Sequence, residues 1–258
     1  MAGTLTGRVL GELTFHEASH AIRDTAILCL PLGAIEQHGP HLPLNTDVVI
    51  AEALTRRLLD RWGDELDLWQ LPTLSIGLSR EHDWAAGTLS LSIAGFCGYL
   101  RDLAATLVRA LPARNLAVIN GHGGNRGMLE NLLHELHGDF GLNACVLHPF
   151  DLAVAGAGEI DVHGGRGETS VMLALAPSLV RADRIVAGGP PDADAARSLI
   201  YERGATFAWR TDDPRLGRDG IIGDPSTASA EFGSALLDHM VAAAGGVLRT
   251  LRNHRARR

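Results

Sequence analysis

The chain has 258 residues, of which 46% are hydrophobic, so it can bury a substantial core as one large α/β domain or two small ones. Its net charge of −7 and pI near 5.9 argue against nucleic-acid binding. No apolar run approaches the ~20 residues of a membrane-spanning helix, and no secretory signal is visible. With three cysteines that share no paired spacing, these features predict a soluble cytoplasmic protein.

Apolar runs alternate with amphipathic segments along most of the chain. The strand segments are continuously apolar, which is typical of strands buried on both faces, while the helical segments show apolar spacing, with Thr46 and Ser92 as N-caps. The predicted elements, in chain order, are strand 25–32, helix 46–62, strand 68–72, helix 92–111, strand 114–120, helix 125–138, strand 142–148, a surface loop at 187–192 and helix 228–252. This alternation predicts βαβ units and a parallel sheet with helices on both faces.

One doubly wound domain over residues 1–250 is the simplest organisation. The last residues, 251–258, include Arg252, Arg255, Arg257 and Arg258. Because chain termini are usually solvated and frayed, we expect a basic tail there.

Three polar motifs interrupt this pattern. They are Glu36-Gln-His38 with the nearby Asp47, Asn120-Gly-His122-Gly-Gly-Asn125, and His163-Gly-Gly-Arg-Gly-Glu168-Thr-Ser170. Two of them follow predicted strands directly, at the carboxyl edge where open α/β sheets collect ligands and active-site groups. The third opens a helix. The sequence therefore predicts one site at this edge of the sheet.

The residue types in these motifs favour a divalent metal. Glu36 and His38 are separated by one residue, so in extended backbone both side chains project to the same side. Asp47 falls in the first turn of a predicted helix, where the macrodipole favours a carboxylate. Taken alone, Asp47 is better explained as a helix cap and His38 as a packing residue. Their clustering with the other motifs favours metal ligands.

The two glycine-rich motifs add His122, His163 and Glu168. The glycines around His122 allow close backbone approach to a ligand. A phosphate cradle at a helix N-terminus is the alternative, but the GxxxxGKS/T and GxGxxG patterns are both absent. His163 is a candidate proton donor, and Glu168 supplies a further carboxylate.

Four further residues are predicted to contact the substrate. The backbone of Gly123 and Gly124 can donate hydrogen bonds to the substrate or to an oxyanion. His82 and Trp84, in a segment between a strand and a helix, are predicted substrate walls. Ordinary loop packing is the alternative for these two side chains.

Taken together, the motifs resemble the creatininase family of amidohydrolases. Further similar segments are Glu81-His82, residues 86–90 and residues 220–233, so the resemblance covers nearly the whole chain in the same order. It implies a three-layer α/β/α fold, two divalent metal ions and a ring-like homohexamer. The site residues that it implies are the metal ligands Glu36, His38, Asp47 as bridging carboxylate and His122, with Glu168 near the metals and His163 assisting proton transfer.

One position departs from the family's pattern. Creatininase itself has a glutamate two residues after the histidine that matches His122, where this chain has Gly124. The resemblance then implies that Glu168 completes the metal site, and it disfavours creatinine as the substrate. Relatives with the Gly-His-Gly-Gly-Asn form act on other amides, including formamides of pyrimidine intermediates and a peptide bond in mycofactocin maturation.

The sequence therefore predicts a metal-dependent amidohydrolase that uses a metal-activated water on a non-peptide or cyclic amide. Its expected partners are a small-molecule amide and further copies of itself, with no nucleic acid and no membrane. Zinc is the expected metal, although carboxylate and imidazole ligands also suit manganese and iron. Two alternatives stay open. One is a peptidase acting on a small peptide precursor, and the other is a non-catalytic metal-binding module.

Overall fold

A computed structural model describes residues 7–153, 160–202 and 204–254. Its four-stranded sheet is entirely parallel, with the strand order β2-β1-β3-β4. The strands are β1 Ile27–Leu32, β2 Leu68–Gln70, β3 Asn115–Asn120 and β4 Asn143–Leu147. Each of the four predicted strands is present and slightly shorter than predicted, so the parallel α/β sheet is confirmed.

The α-helices of the described residues are α1 Phe15–Ala21, α2 Thr46–Leu66, α3 Ile93–Ala110, α4 Arg126–Phe140, α5 Pro149–Leu152, α6 Arg166–Leu175, α7 Ala193–Ala196 and α8 Ala230–Asn253. Ser92 caps α3 as predicted, because its side chain accepts a hydrogen bond from the Gly95 amide. The cap predicted for α2 is wrong by one residue. Asn45 is the N-cap, and the Thr46 hydroxyl instead donates to the Pro43 carbonyl at 2.7 Å.

Two apolar layers enclose the sheet. On one face, Ile27 and Cys29 of β1 pack in a buried cluster with residues of α2, α6 and α8. On the other face, Leu28 and Leu30 pack in a second cluster with residues of α3 and α4. Alternate residues of β1 therefore serve opposite layers, which explains its uninterrupted apolar sequence and confirms the three-layer α/β/α fold.

The last described helix extends past the predicted domain boundary. α8 ends at Asn253, and Arg252 donates to the Glu65 carbonyl at 2.7 Å. Residues 255–258, with the remaining arginines of the predicted tail, lie outside the described residues. The predicted loop at 187–192 contains neither helix nor strand. Among the described helices, none combines the length and the apolar character that a membrane span requires.

Candidate metal centre and cleft

The carboxyl ends of β1 and β3 converge on the first turn of α2. Gly33 and Gly121 follow these two strands, and the Gly121 amide donates to the Leu32 carbonyl at 2.8 Å. A Cβ on Gly33 would lie 2.6 Å from the Val48 nitrogen, and a Cβ on Gly121 would lie 2.5 Å from the Asp47 carbonyl oxygen. Because neither glycine has a side chain, the first turn of α2 packs directly against the edge of the sheet. This packing places Asp47 between the first two polar motifs.

Asp47 faces a different histidine with each of its carboxylate oxygens. His38 Nε2 lies 3.0 Å from Oδ1, and His122 Nδ1 lies 3.4 Å from Oδ2. His122 Nδ1 is also 3.1 Å from Glu36 Oε1. All four side chains are at most 5% exposed. Asp47 could therefore contribute one carboxylate oxygen to a metal ion beside each of the two histidines.

The third motif reaches the same centre from α6. Glu168 Oε2 lies 3.8 Å from His38 Nε2, and His163 Nδ1 lies 3.7 Å from Glu36 Oε1. The ligand atoms form overlapping triplets with all distances within 4.8 Å, and these triplets are Glu36–His38–Asp47, His38–His163–Glu168 and Glu36–His82–His163. The structure thus brings together all five predicted ligands.

Two buried oxygens indicate that cations belong here. Glu36 Oε1 and Asp47 Oδ2 are buried and accept no well-aligned hydrogen bond among the described residues, although His122 Nδ1 lies 3.1 Å and 3.4 Å from them. Leaving a buried charged acceptor unsatisfied is costly unless a cation satisfies it. The ligand set contains carboxylates and imidazoles without a thiolate, which suits zinc, manganese and iron alike.

The crowded charges shift the pKa values of the candidate ligands. Burial favours the neutral form of His38, but the carboxylates of Asp47, Glu168 and Glu36 outweigh it and raise its pKa to about 10. His122 behaves in the same way beside Glu36 and Asp47, with a pKa of about 10. Burial raises the pKa of Glu168 to about 7. In the metal-free protein, protons on the histidines therefore balance the buried carboxylates.

The buried side-chain amide of Asn125 connects the segments around Gly33, Leu78 and Asn120 by hydrogen bonds. Asn125 Oδ1 accepts from the Leu78 amide at 2.8 Å, while its Nδ2 donates to Gly33 O at 3.3 Å and to Asn120 Oδ1 at 3.1 Å. Next to it, His122 Nε2 donates to the Leu78 carbonyl at 2.6 Å. This bond leaves Nδ1 facing the carboxylates, where it can exchange its proton for a metal ion, a common arrangement for a metal-binding histidine.

Gly124 adjoins a carboxylate that was not predicted as a site residue. A Cβ on Gly124 would lie 2.4 Å from both Glu81 Oε1 and His122 Nε2, and Glu81 Oε1 itself is 3.4 Å from His122 Nε2. Glu81 thus occupies the space that a side chain at position 124 would need. The sequence signal was present, because Glu81 precedes His82 and a glycine stands at 124.

Of the four residues predicted to contact the substrate, three line a cleft above the ligands and one does not. His82 is 2% exposed and lines the cleft above the ligands with Gly123 and Gly124. Trp84 is 40% exposed and is not among the residues that line this cleft. Its indole nitrogen instead donates to Thr211 Oγ1 at 3.0 Å.

The cleft that opens from the metal centre is large, at about 820 Å³. One wall is aromatic and comes from the segment after α7, with Tyr201, Phe207 and Trp209. Tyr201 and Phe207 are about half exposed. Arg80 and Arg126 also line the cleft, each beside an aspartate that lines it as well, Asp83 and Asp151, so it offers apolar and mixed-charge surfaces beyond the buried ligands.

Comparison with known proteins agrees with this geometry. A family model described as creatinine amidohydrolase (Creatininase) matches residues 11–248. A mycofactocin precursor peptide peptidase from Mycobacterium ulcerans (strain Agy99) is 35% identical over 242 residues, covering 90% of this chain and 88% of that protein. A creatinine amidohydrolase from Pseudomonas putida is 32% identical over 253 residues, covering 89% of this chain and 91% of that protein.

Solved structures of creatininases share this fold over nearly the whole chain. A zinc form of a creatininase variant and a manganese form of creatininase superpose with TM-scores of 0.76 and 0.75. Both are 30% identical, and each alignment covers 95% of this chain and 98% of the other. With a family model that matches nearly its whole length, this chain belongs to the creatininase family, and it is a hydrolase of carbon–nitrogen amide bonds.

Proposed function

We propose that this hydrolase uses two divalent metal ions to cleave an amide bond in a short peptide. The observation that carries the choice of substrate is the cleft, whose volume of about 820 Å³ lies high in the ~300–1,000 Å³ range of ligand pockets. Its aromatic and charged walls extend well beyond the ligands, and a single small ring would leave them without contacts. Similarity to a relative named as a peptide peptidase also supports a peptide substrate.

The buried side chains divide into two ligand sets that share Asp47. Glu36 and His122 would hold one cation with it, and His38 and Glu168 the other, in keeping with the distances between these groups. When bound, such a metal pair makes water a nucleophile near neutral pH and polarises a carbonyl oxygen. Zinc is the proposed metal, with manganese and iron as the alternatives.

His163 is proposed to move the proton. Its Nε2 donates to the Gln37 carbonyl at 2.6 Å, so its Nδ1 presents a lone pair toward Glu36. This nitrogen can accept a proton from the attacking water and return it to the leaving nitrogen. The backbone of Gly123 and Gly124, which lines the cleft beside His122, is proposed to orient the substrate.

A non-peptide or cyclic amide is the second candidate substrate. It is favoured by the similarity to a creatinine amidohydrolase over 89% of this chain. Creatinine itself is disfavoured, because Gly124 replaces the glutamate of the creatinine enzyme and Glu81 fills the space beside it. A homo-oligomer, a hexamer by the family resemblance, and a cytoplasmic location stay predictions.

The test is removal and return of metal with a substrate panel. Exhaustive chelation is expected to abolish hydrolysis, and zinc or manganese is expected to restore it. On the reloaded enzyme, short peptides of increasing length are compared with creatinine and formamidopyrimidines. We expect kcat/KM to rise with peptide length because longer peptides contact more of the cleft. Full activity in the chelated protein would refute metal dependence, and a preference for the small amides would refute the peptide substrate.

A further inference from the structure

A buried glutamine fixes the hydrogen-bonding state of His82. The orientation of the Gln37 side-chain amide is set at both ends, since its Oε1 accepts from the Gly39 amide at 2.9 Å and its Nε2 donates to the Gly220 carbonyl at 3.0 Å. The same Nε2 lies 2.9 Å from His82 Nδ1 and 3.3 Å from Thr211 Oγ1, so Nδ1 is the nearer partner for its second proton. An amide nitrogen is only a donor, so Nδ1 must be the acceptor.

Thr211 is a second neighbour of the same nitrogen. Its hydroxyl lies 2.9 Å from His82 Nδ1 and 3.2 Å from the Glu81 carbonyl, so its single proton can be directed to Nδ1, the nearer acceptor. A ring nitrogen that accepts a hydrogen bond carries no proton, so the ring is neutral. A neutral imidazole that accepts at Nδ1 carries its single proton on Nε2.

That Nε2–H points into the metal centre. It lies 3.3 Å from Glu36 Oε1, and His82 lines the cleft. The ring of His163 is in contact with it, with centroids 4.1 Å apart, but His163 presents the Nδ1 lone pair instead. The two neighbouring histidines therefore offer complementary groups, one a donor and the other an acceptor.

Building on the proposed function, we propose that His82 Nε2–H is a preset hydrogen-bond donor to the amide oxygen that becomes negative during attack. No proton is transferred in this role. A neutral imidazole N–H can stabilise a developing oxyanion, and a donor fixed before the reaction needs no reorganisation. Gln37 and Thr211 are positioning residues, because they hold the tautomer without reaching the substrate. A proton on Nε2 also leaves no lone pair there for a metal.

The tautomer is measurable in the zinc-loaded enzyme by ¹⁵N NMR of the histidine rings, with the His82 signals assigned by their loss in His82→Phe. We expect a pyrrole-type shift at Nε2 and a pyridine-type shift at Nδ1. A proton on Nδ1 would overturn the inference whatever the activity.

Gln37→Glu tests the consequence for catalysis. A carboxylate in place of the amide accepts from Nδ1–H, so the proton moves away from Nε2. We expect kcat to fall ~10²–10³-fold, as for the loss of one oxyanion donor, with zinc content unchanged and the two ¹⁵N shifts exchanged. His82→Phe should give a similar loss of kcat with zinc retained, and it keeps the test open if Gln37→Glu does not fold.

Thr211→Ser serves as the conservative control for Thr211→Val, because only serine keeps the hydroxyl. We expect Thr211→Ser to retain the wild-type shifts and kcat, and Thr211→Val to lower kcat. Loss of zinc in His82→Phe would identify His82 as a metal ligand and overturn the inference. An unchanged kcat in Gln37→Glu with exchanged shifts would overturn it as well. A zinc-loaded wild-type enzyme that hydrolyses no amide would instead refute the proposed function, before any variant is compared.

Discussion

At the scale of single residues, the contact between Gly124 and Glu81 restricts which residue can stand at position 124, beside the candidate metal centre. A carboxylate enters the cleft from the segment before α3 and lies against His122. Burial raises the pKa of Glu81, while His122 opposes that rise. The glycine at 124 is required for this packing, because any Cβ there meets Glu81, His122 and the Leu78 carbonyl within 2.5 Å.

We therefore expect Gly124→Ala to displace His122 and weaken metal binding at least tenfold, with a loss of ~1–3 kcal/mol in unfolding free energy from overpacking. Competition with a chelating indicator measures the affinity, and denaturant unfolding measures the stability. Gly123→Ala is the matched control, since a Cβ there meets nothing within 4 Å, and it should keep both values. Equal metal affinities in the two variants would contradict the steric argument.

His163 permits a prediction that separates chemistry from metal binding. Its Nδ1 faces Glu36 at 3.7 Å, which is longer than the contact of His122 with the same oxygen. We expect His163→Ala to retain metal and lose ~10²–10⁴-fold in kcat, the usual contribution of a general acid–base group. Metal analysis and kinetics on one preparation decide it. An unchanged kcat on the best substrate would remove His163 from the mechanism.

At the scale of elements, the crossing of α6 and α8 places Glu168. A Cβ on Gly233 of α8 would lie 1.9 Å from the Ser170 carbonyl oxygen of α6, so the two backbones touch. The Ser229 amide also donates to Ser170 Oγ at 3.1 Å. Because Glu168 lies on the first turn of α6, the position of its carboxylate depends on this crossing.

Gly233→Ala should consequently lower the free energy of unfolding by ~1–3 kcal/mol or more and weaken metal binding through Glu168. Gly246→Ala, on the same helix, places its Cβ in open space and is expected to stabilise the protein by up to ~1 kcal/mol, the helix-propensity gain. Thermal and denaturant unfolding of the two variants measure the contrast. A neutral Gly233→Ala would show that α6 and α8 can separate without cost.

The elements were largely predictable, because each depends on short-range patterns. Continuous apolar runs indicate strands between two helical layers, and β1 has that pattern and that burial. Helix ends were less certain, as Thr46 illustrates, because a hydroxyl can cap a helix or bond to a nearby carbonyl. Helix α1 and the helical turns of residues 193–201, which include α7, were not predicted, since they lack long apolar periodicity.

The site was predictable only where its residues lie in motifs. Glu36, His38 and His122 stand in conspicuous polar segments after strands, and the structure brings them together. Glu81 was noted only as part of the Glu81-His82 segment and was given no role, and Thr211 does not stand out, since an isolated hydroxyl in a loop has many ordinary explanations. Their roles follow from tertiary contacts between segments that are 130 positions apart, and local spacing carries no information about such contacts.

At the scale of the whole molecule, the buried charges make metal binding a pH-dependent step. The folded metal-free protein binds more protons than the unfolded chain, because the pKa values of His38 and His122 rise from 6.5 to about 10. Their contribution to stability is complete below pH 6.5 and is lost as pH rises toward about 10. A bound metal must displace the same protons.

We expect the melting temperature of the metal-free protein to fall over this window while metal affinity rises. Calorimetric titration with zinc in buffers of different ionisation enthalpy should detect proton release at neutral pH. His38→Gln should reduce the number of protons released. Binding without proton release would contradict the assignment of these histidines as protonated ligands.

The ligands extend along the chain from Glu36 to Glu168, and the helix that fixes the last of them begins only at Ala230. During synthesis, a ribosome must therefore complete most of the polypeptide before a full coordination sphere exists. A metal ion held by all of these residues would therefore bind only after most of the chain has been made, when the available divalent ions compete for the same carboxylate and imidazole groups.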